Sequence, residues 1–134
     1  MKDCIFCKIV NSEIPCDKIY EDEDFLAFLD ISPLYYGHVL LITKKHFKDI
    51  SEVSPDILSR YLEVANFVAK GLCKALNIND YNLRINKGKN AKQAVFHVHL
   101  HIIPRMENGI RLRNFKYEDS EKEKFLSKIK QNLI

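Results

Sequence analysis

Residues 94–104, AVFHVHLHIIP, are the most informative stretch of this sequence. Apolar and polar residues alternate along it, which predicts a β-strand from Val95 to Ile103. Since alternate residues of a strand share a face, His97, His99 and His101 are expected on one side. The residues between them are expected in the core: Phe96, Val98, Leu100 and Ile102. Three imidazoles on one face can ligate a metal ion, or divide nucleophilic and proton-transfer work between them.

The rest of the chain supplies elements that a strand of this kind can pack against. Apolar spacing of three and four residues predicts one long helix from Ser54-Pro55 to Asn77, and a second amphipathic helix over 118–134. Residues 4–10 are expected to form a short helical turn. The other predicted strands are Ile19–Tyr20, Phe25–Asp30, His38–Thr43 and Tyr81–Asn86. This order predicts an α+β fold, a mainly antiparallel sheet with helices packed on it.

Length and composition set the class of protein. The 134 residues fit a single domain spanning 1–134, and 46% hydrophobic with 29% charged residues is typical of globular proteins. The net charge is 21 − 18 = +3, too small and too dispersed to predict nucleic-acid binding. No apolar run is long enough for a membrane helix, and the N-terminus lacks the features of a signal peptide. A cytoplasmic location is therefore expected.

The four cysteines include one close pair, Cys4 and Cys7. Disulfides are rare in a reducing cytosol, so this spacing favours metal binding or redox chemistry. Two thiolates and two imidazoles would make a closed tetrahedral zinc site. A redox pair is the alternative. Cys16 and Cys73 are expected to act as small hydrophobic residues.

Several motifs resemble those of the histidine triad (HIT) family. His97-Val98-His99-Leu100-His101-Ile102-Ile103 matches its His-x-His-x-His-x-x signature, in which x is apolar. Three further segments are similar to family motifs: residues 4–9 (CIFCKI) to the N-terminal motif of the bacterial-type branch, residues 25–31 (FLAFLDI) to the ribose-binding strand, and residues 37–46 (GHVLLITKKH) to the central strand. The resemblance covers about residues 4–105, while residues 106–134 form a C-terminal extension expected to be helical.

The resemblance implies a fold and a chemistry. The expected fold is a five-stranded antiparallel sheet with one long helix, in a homodimer. The expected activity is cleavage of purine nucleoside 5′-phosphoramidates or related AMP conjugates through a nucleotidyl-histidine intermediate. His99 corresponds to the nucleophile, and His101 to the residue that contacts the phosphoryl group and helps the leaving group.

The resemblance also assigns substrate-binding residues. Asp30 corresponds to the carboxylate that accepts the ribose hydroxyls, and Asn86 and Gln93 correspond to polar contacts to the phosphate. An apolar clamp around the purine base would comprise Ile5, Phe6, Ile9, Phe28, Leu29 and Ile31.

Bacterial-type relatives hold zinc with two cysteines and two histidines. On that basis His46 and His97 would complete the Cys4 and Cys7 site, with one structural zinc per subunit. His97 would then be a metal ligand rather than part of the catalytic machinery.

Two residues depart from the family pattern. Lys92 stands where a glycine is usual, and it adds a positive charge that would favour a longer phosphate chain. Ala94 replaces a serine or threonine and removes a hydroxyl from the site. Three alternatives therefore stay open: a dinucleoside polyphosphate hydrolase, a zinc-stabilised nucleotide-binding module with low turnover, and a metalloenzyme holding iron or zinc on the three strand histidines.

Overall fold

The computed structural model describes residues 3–133 and contains one five-stranded, fully antiparallel sheet. The strands are β1 (Lys18–Glu21), β2 (Phe25–Leu29), β3 (Val39–Thr43), β4 (Asp80–Ile85) and β5 (His99–Arg105), and their spatial order is β1-β2-β3-β5-β4. The helices are α1 (Ile5–Val10), α2 (Pro55–Leu76) and α3 (Asp119–Gln131). The predicted α+β class, strand number and long central helix are confirmed.

The main core lies between the sheet and α2. The helix begins after Ser54 with proline at its first position and ends at Asn77, which adopts the left-handed conformation. Its inner face includes Tyr61 and Leu72, which are at most 1% exposed, and the Tyr61 hydroxyl donates to the Leu41 carbonyl at 2.7 Å. This packing makes the α2 side of the sheet a rigid support.

The opposite face of the sheet is covered by α1 and carries the polar site. A smaller apolar cluster joins Phe6 of α1 to alternate residues of the two central strands: Leu26 and Phe28 of β2, and Leu40 and Ile42 of β3. Because both faces are covered, β2 and β3 are buried at every position. The histidines of β5 lie beside this cluster.

The C-terminal extension folds back on the domain. Phe125 and Ile129 of α3 are buried in the main core, and Leu126 and Leu133 pack against it, as the amphipathic pattern predicts. Before α3, the Leu112 N–H donates to the Leu34 carbonyl at 2.7 Å. The extension therefore fastens the loop between β2 and β3.

The predicted strand Val95–Ile103 is wrong at its start, because β5 begins at His99. Ahead of it, the Val98 N–H donates to the carbonyl of Phe47, outside the strand ladder, at 2.8 Å. Phe96 is accordingly 45% exposed, with the Lys48 ammonium 5.7 Å from its ring centroid, rather than in the core. Val98, Leu100 and Ile102 are buried as expected.

The homodimer stays a prediction. β4 is an edge strand of the sheet, and α2 exposes the apolar side chains of Leu58, Leu62 and Phe67. Both features are compatible with a partner subunit. Among residues 3–133, none of the helices combines the length and apolarity needed to cross a bilayer.

Candidate active site and metal centre

His99, the first residue of β5, has a fixed tautomer. Its Nδ1 lies 2.8 Å from the backbone carbonyl of His97, and a carbonyl only accepts hydrogen bonds, so Nδ1 carries the proton. The Nε2 lone pair is left free to act as a nucleophile. The Phe6 ring packs edge-to-face with the imidazole, with ring centroids 5.1 Å apart, and restricts its movement.

His38 and His101 form a directed hydrogen-bond chain. The Leu34 N–H donates to Nδ1 of His38 at 3.0 Å, so the His38 proton must lie on Nε2. That Nε2 is 2.9 Å from Nδ1 of His101, which therefore accepts. The proton of His101 is thus on Nε2, where it can be donated to a bound phosphoryl oxygen. The expectation that His38 is a buried hydrogen-bonding residue agrees with this geometry.

Burial keeps these imidazoles neutral. Desolvation, followed by the positive charge of Arg84, lowers the pKa of His38 to about 4. Desolvation also lowers the pKa of His101, to about 3, with contributions from neighbouring histidines and Arg84. The pKa of His99 is lowered mainly by desolvation, although Asp30 opposes the shift. At neutral pH, His99 therefore has an unprotonated nitrogen available for attack.

A cavity of about 490 Å³ opens over His99 and His101. It is also lined by Asp30, Asn86 and Ala94, so the predicted nucleophile, its partner and two predicted polar contacts share one space. Ala94 presents only a methyl group there, at the position where the resemblance implies a hydroxyl. The cavity is large enough for a nucleotide phosphate and ribose.

Asp30 follows the end of β2 and points toward the same space. One carboxylate oxygen accepts the Ser32 N–H at 2.9 Å, and the other lies 3.7 Å from Nε2 of His38. The carboxylate keeps acceptor capacity for a pair of ribose hydroxyls.

The predicted apolar clamp is only partly assembled. Phe6 and Phe28 pack together, with ring centroids 5.9 Å apart, and Ile9 packs against their cluster. Ile5 is 43% exposed and Ile31 is 79% exposed, so both are accessible to a ligand. Leu29 belongs to the main core, because it alternates with Phe28 and faces α2. The structure does not bring its side chain to the site.

Gln93 has a different place from the predicted phosphate contact. Its carbonyl oxygen accepts the Gly88 N–H at 2.8 Å, and its amide donates to the carbonyls of Lys48 and Val95. Two of these bonds engage the amide with the backbone of the 86–96 loop, and the third ties that loop to Lys48, after β3. Gln93 therefore holds the loop that positions Asn86 and Ala94.

The four predicted zinc ligands lie together. The ligand atoms of Cys4, Cys7, His46 and His97 are all within 4.8 Å of one another. Nδ1 of His97 lies 3.3 Å from Sγ of Cys4, and Nδ1 of His46 lies 3.3 Å from Sγ of Cys7. Two thiols and two imidazoles at this spacing suit tetrahedral zinc.

The orientation of His97 supports the same fit. Its Nε2 donates to the carbonyl of Thr43 at 2.7 Å, so the Nδ1 lone pair faces the thiols. Burial lowers the pKa of His97 to about 4, which keeps the ring in the neutral form that binds metal. A zinc ion held here would connect α1 and the segment after the end of β3 to His97, the residue whose carbonyl orients His99.

Sequence reasoning missed two cations at the cavity, Arg84 and Arg111. Arg84 pairs directly with His101 across β4 and β5, and a charged residue between Leu83 and Ile85 was the available signal. Arg111 lies in the extension, and no motif of the chain points to it.

This combination of fold and site defines a class of protein. The family model described as HIT domain matches residues 11–108. The chain therefore belongs to the HIT family.

Individual relatives agree with that placement. The chain is 41% identical over 105 residues to a protein named adenylylsulfatase HINT3 from Arabidopsis thaliana, covering 78% of this chain and 53% of that protein. It is 45% identical over 104 residues to the protein named adenosine 5′-monophosphoramidase HNT1 from Saccharomyces cerevisiae, covering 78% of this chain and 63% of that one. The chain thus spans only about half to two thirds of these two relatives.

A solved structure of the same fold is described as zinc-bound. The crystal structure of a zinc-bound histidine triad family protein from Mycobacterium smegmatis superposes with a TM-score of 0.85 at 34% identity. The match covers 98% of this chain and 94% of that one, and so includes the C-terminal extension.

Proposed function

We propose that this protein is a nucleotide hydrolase that cleaves purine nucleoside 5′-phosphoramidates and related AMP conjugates and releases the nucleoside 5′-monophosphate, AMP in the case of adenosine. The observation that carries the proposal is the 2.8 Å hydrogen bond from His99 Nδ1 to the His97 carbonyl, which leaves Nε2 as the nucleophile. The names of the Arabidopsis and yeast relatives, an adenylylsulfatase and a monophosphoramidase, support this substrate class.

The reaction would proceed in two displacements. Nε2 of His99 attacks the α-phosphorus and a phosphorus–nitrogen bond forms, while the bond to the leaving group breaks. The leaving group departs with the electron pair of that bond and takes up a proton from solvent, which the attacking water of the second step returns. The resulting nucleotidyl-imidazolium keeps its Nδ1 proton on the His97 carbonyl, which stabilises the positive charge. Water then attacks the same phosphorus, frees His99 and releases AMP.

His101 would stabilise charge in both steps. The His38 hydrogen bond holds the His101 proton on Nε2, so this N–H can donate to a phosphoryl oxygen as negative charge develops. Asp30 would bind the ribose hydroxyls, and Phe6 with its neighbours would contact the base. Zinc at the Cys4 centre would have no part in the reaction and would stabilise the fold around His97.

The test compares hydrolysis of an adenosine phosphoramidate by wild type, His99→Ala and His101→Ala. Loss of the nucleophile should lower the rate by at least about a thousandfold, whereas loss of one donor should cost about 10²–10³-fold. AMP binding should survive both changes, because Asp30 and the apolar contacts remain. A His99→Ala protein with near wild-type turnover would contradict the proposal.

A binding module with low turnover is the second candidate, and Ala94 favours it. Ala94 lines the cavity with a methyl group, at the position where the family resemblance implies a serine or threonine hydroxyl. Ala94→Ser should raise the turnover number if a missing hydroxyl limits the rate. Tight AMP binding by wild type with no hydrolysis of any AMP conjugate would favour the module.

A further inference from the structure

The loop between β2 and β3 carries two groups of the candidate active site. This loop comprises residues 30–38, so it begins with Asp30 and ends with His38, and both line the cavity. The tautomer of His38 is set within the loop, because the Leu34 N–H donates to its Nδ1 at 3.0 Å. The conformation of the loop therefore decides which nitrogen of His38 donates to His101.

The segment between β5 and α3, residues 106–118, contacts this loop at two points, and we call it the strap. The Leu34 carbonyl accepts the N–H of Leu112 at 2.7 Å. The Gly37 N–H donates to the hydroxyl oxygen of Tyr117 at 2.9 Å. Both bonds are short enough to be well formed, so the strap restrains the backbone of the loop on either side of its turn.

Tyr117 is held in place by aromatic packing. Its ring centroid lies 5.3 Å from that of Tyr36, 5.1 Å from that of Phe115 and 6.2 Å from that of Phe125 in α3. Desolvation raises the pKa of Tyr117 to about 12, and the negative charge of Asp30 contributes to the shift. The phenol is therefore neutral at physiological pH, and its surroundings include the carboxylate at the start of the loop.

Gly37 transmits this restraint to His38, which follows it in the chain. Gly37 has φ +84°, and a Cβ at this position would lie 3.0 Å from Leu76 and 3.3 Å from Phe125. The backbone of Gly37 is thus packed closely against the core. Because its N–H is also bound by Tyr117, the direction in which the chain enters His38 is fixed.

We propose that Tyr117 is a positioning residue for the reaction. Its hydroxyl binds the Gly37 N–H and so keeps the loop in the conformation in which Leu34 donates to His38. His38 then donates to His101, whose Nε2 proton is left available to a phosphoryl group. Tyr117 acts through this chain of hydrogen bonds rather than by contact with the substrate. This inference rests on the proposed function, because it concerns the same proton on His101.

Tyr117 lies outside the part of the chain that the family model matches. That match covers residues 11–108, and 80 residues separate Gly37 from Tyr117 along the chain. The proton on His101 would therefore depend on a side chain of the C-terminal extension.

Tyr117→Phe tests the hydroxyl, because it keeps the ring and removes the acceptor of the Gly37 N–H. Hydrolysis of an adenosine phosphoramidate should show kcat lowered by about threefold to tenfold, with KM within about twofold of wild type. A rise in KM with unaltered kcat would overturn the inference, because it would place the effect on substrate binding. Unaltered kcat and KM would also overturn it and leave the proposed function standing.

Tyr20→Phe is the matched control for loss of a tyrosine hydroxyl. Tyr20 lies on β1, at the edge of the sheet, and its hydroxyl donates to Asp22. Its removal should leave kcat unaltered. An equal fall of kcat in both variants would overturn the inference, because it would show a general effect of lost stability.

Nitrogen NMR of the imidazoles gives a readout that needs no turnover. In wild type, His38 and His101 should each show a protonated Nε2 and an unprotonated Nδ1. In Tyr117→Phe, the fraction of His101 with its proton on Nε2 should fall in proportion to kcat, whereas Tyr20→Phe should keep the wild-type shifts. Wild-type shifts in Tyr117→Phe would overturn the inference. If wild type hydrolyses no AMP conjugate, the proposed function fails, and these shifts alone decide the role of Tyr117.

A double variant tests whether Tyr117 acts through His38. In a His38→Phe background the hydrogen-bond chain is already broken, so adding Tyr117→Phe should lower kcat by less than about twofold more. If the two losses of kcat instead multiply in full, Tyr117 acts independently of His38 and the inference is overturned.

Discussion

The hydrogen-bond chain through His38 makes one prediction that joins stability to activity. His38→Phe keeps a ring of similar size but removes both nitrogens, leaving the Leu34 N–H and Nδ1 of His101 without their partner. A buried polar group without a partner costs about 1–3 kcal/mol, and Leu34 is only partly buried, so we expect a loss of about 2–3 kcal/mol.

The same change should affect catalysis because His101 loses its tautomer control. Its proton can then shift to Nδ1, and we expect a fall in turnover number of about tenfold, less than removal of a donor itself would cause. Urea denaturation and steady-state hydrolysis measure the two effects. His38→Gln is the matched variant, since its amide can accept from Leu34 and donate to His101, and it should recover part of both losses. Unchanged turnover in His38→Phe, or no recovery in His38→Gln, would refute the reasoning.

Three further predictions follow from the metal centre, the buried imidazoles and the turn before β3. Wild-type protein purified without chelator should carry one zinc per chain by mass spectrometry. Cys4→Ser should lose the zinc and melt at a lower temperature, because the metal stabilises the fold. Wild-type protein without bound metal would contradict the proposed site. The pKa of His38 is held at about 4, below its ordinary value of 6.5, so the unfolded chain binds more protons between these values and stability must fall as the pH drops from 6.5 to 4. Urea unfolding should show this loss of stability, which is about 2 kcal/mol at pH 5 for a group with this pKa shift. The loss should be smaller in His38→Gln, and an equal loss in both proteins would count against the prediction. Gly37→Ala should lower the free energy of unfolding, measured in urea, by at least about 1–2 kcal/mol. The reason is that φ at Gly37 is +84° and the added Cβ would lie 3.0 Å from the Leu76 side chain. A variant as stable as wild type would contradict this prediction.

Local patterns in the sequence were sufficient for the fold. The continuous apolar runs of β2 and β3 match strands covered on both faces, and the alternation in β5 and the apolar spacing of α2 arise from contacts between near neighbours. The start of β5 was misplaced because residues 95–98 alternate like a strand, while Val98 bonds to Phe47 and the His97 side chain reaches Thr43. Those partners are distant in sequence, so periodicity carries no signal for them.

Site residues that belong to a sequence motif could be predicted. Residues whose role depends on hydrogen bonds to distant parts of the chain could not. Cys4, Cys7, His46 and His97 lie together, and His99 and Asp30 line one cavity, while the roles that the resemblance implies for them stay predictions. The roles of His38 and Gln93 depend on hydrogen bonds that span 63 and 45 residues, which no spacing rule encodes. Arg111 reaches the cavity only because the extension folds back onto the loop after β2.

The most direct test of the account is to trap the intermediate on His99. Protein in excess is mixed with an AMP conjugate, quenched during the first turnover and analysed by intact and fragment mass spectrometry. The account predicts one AMP attached to the His99 imidazole in wild type and none in His99→Ala, with the amount rising and falling as AMP is released. Release of AMP by wild type with no adduct at any time, or an adduct that persists in His99→Ala, would contradict it.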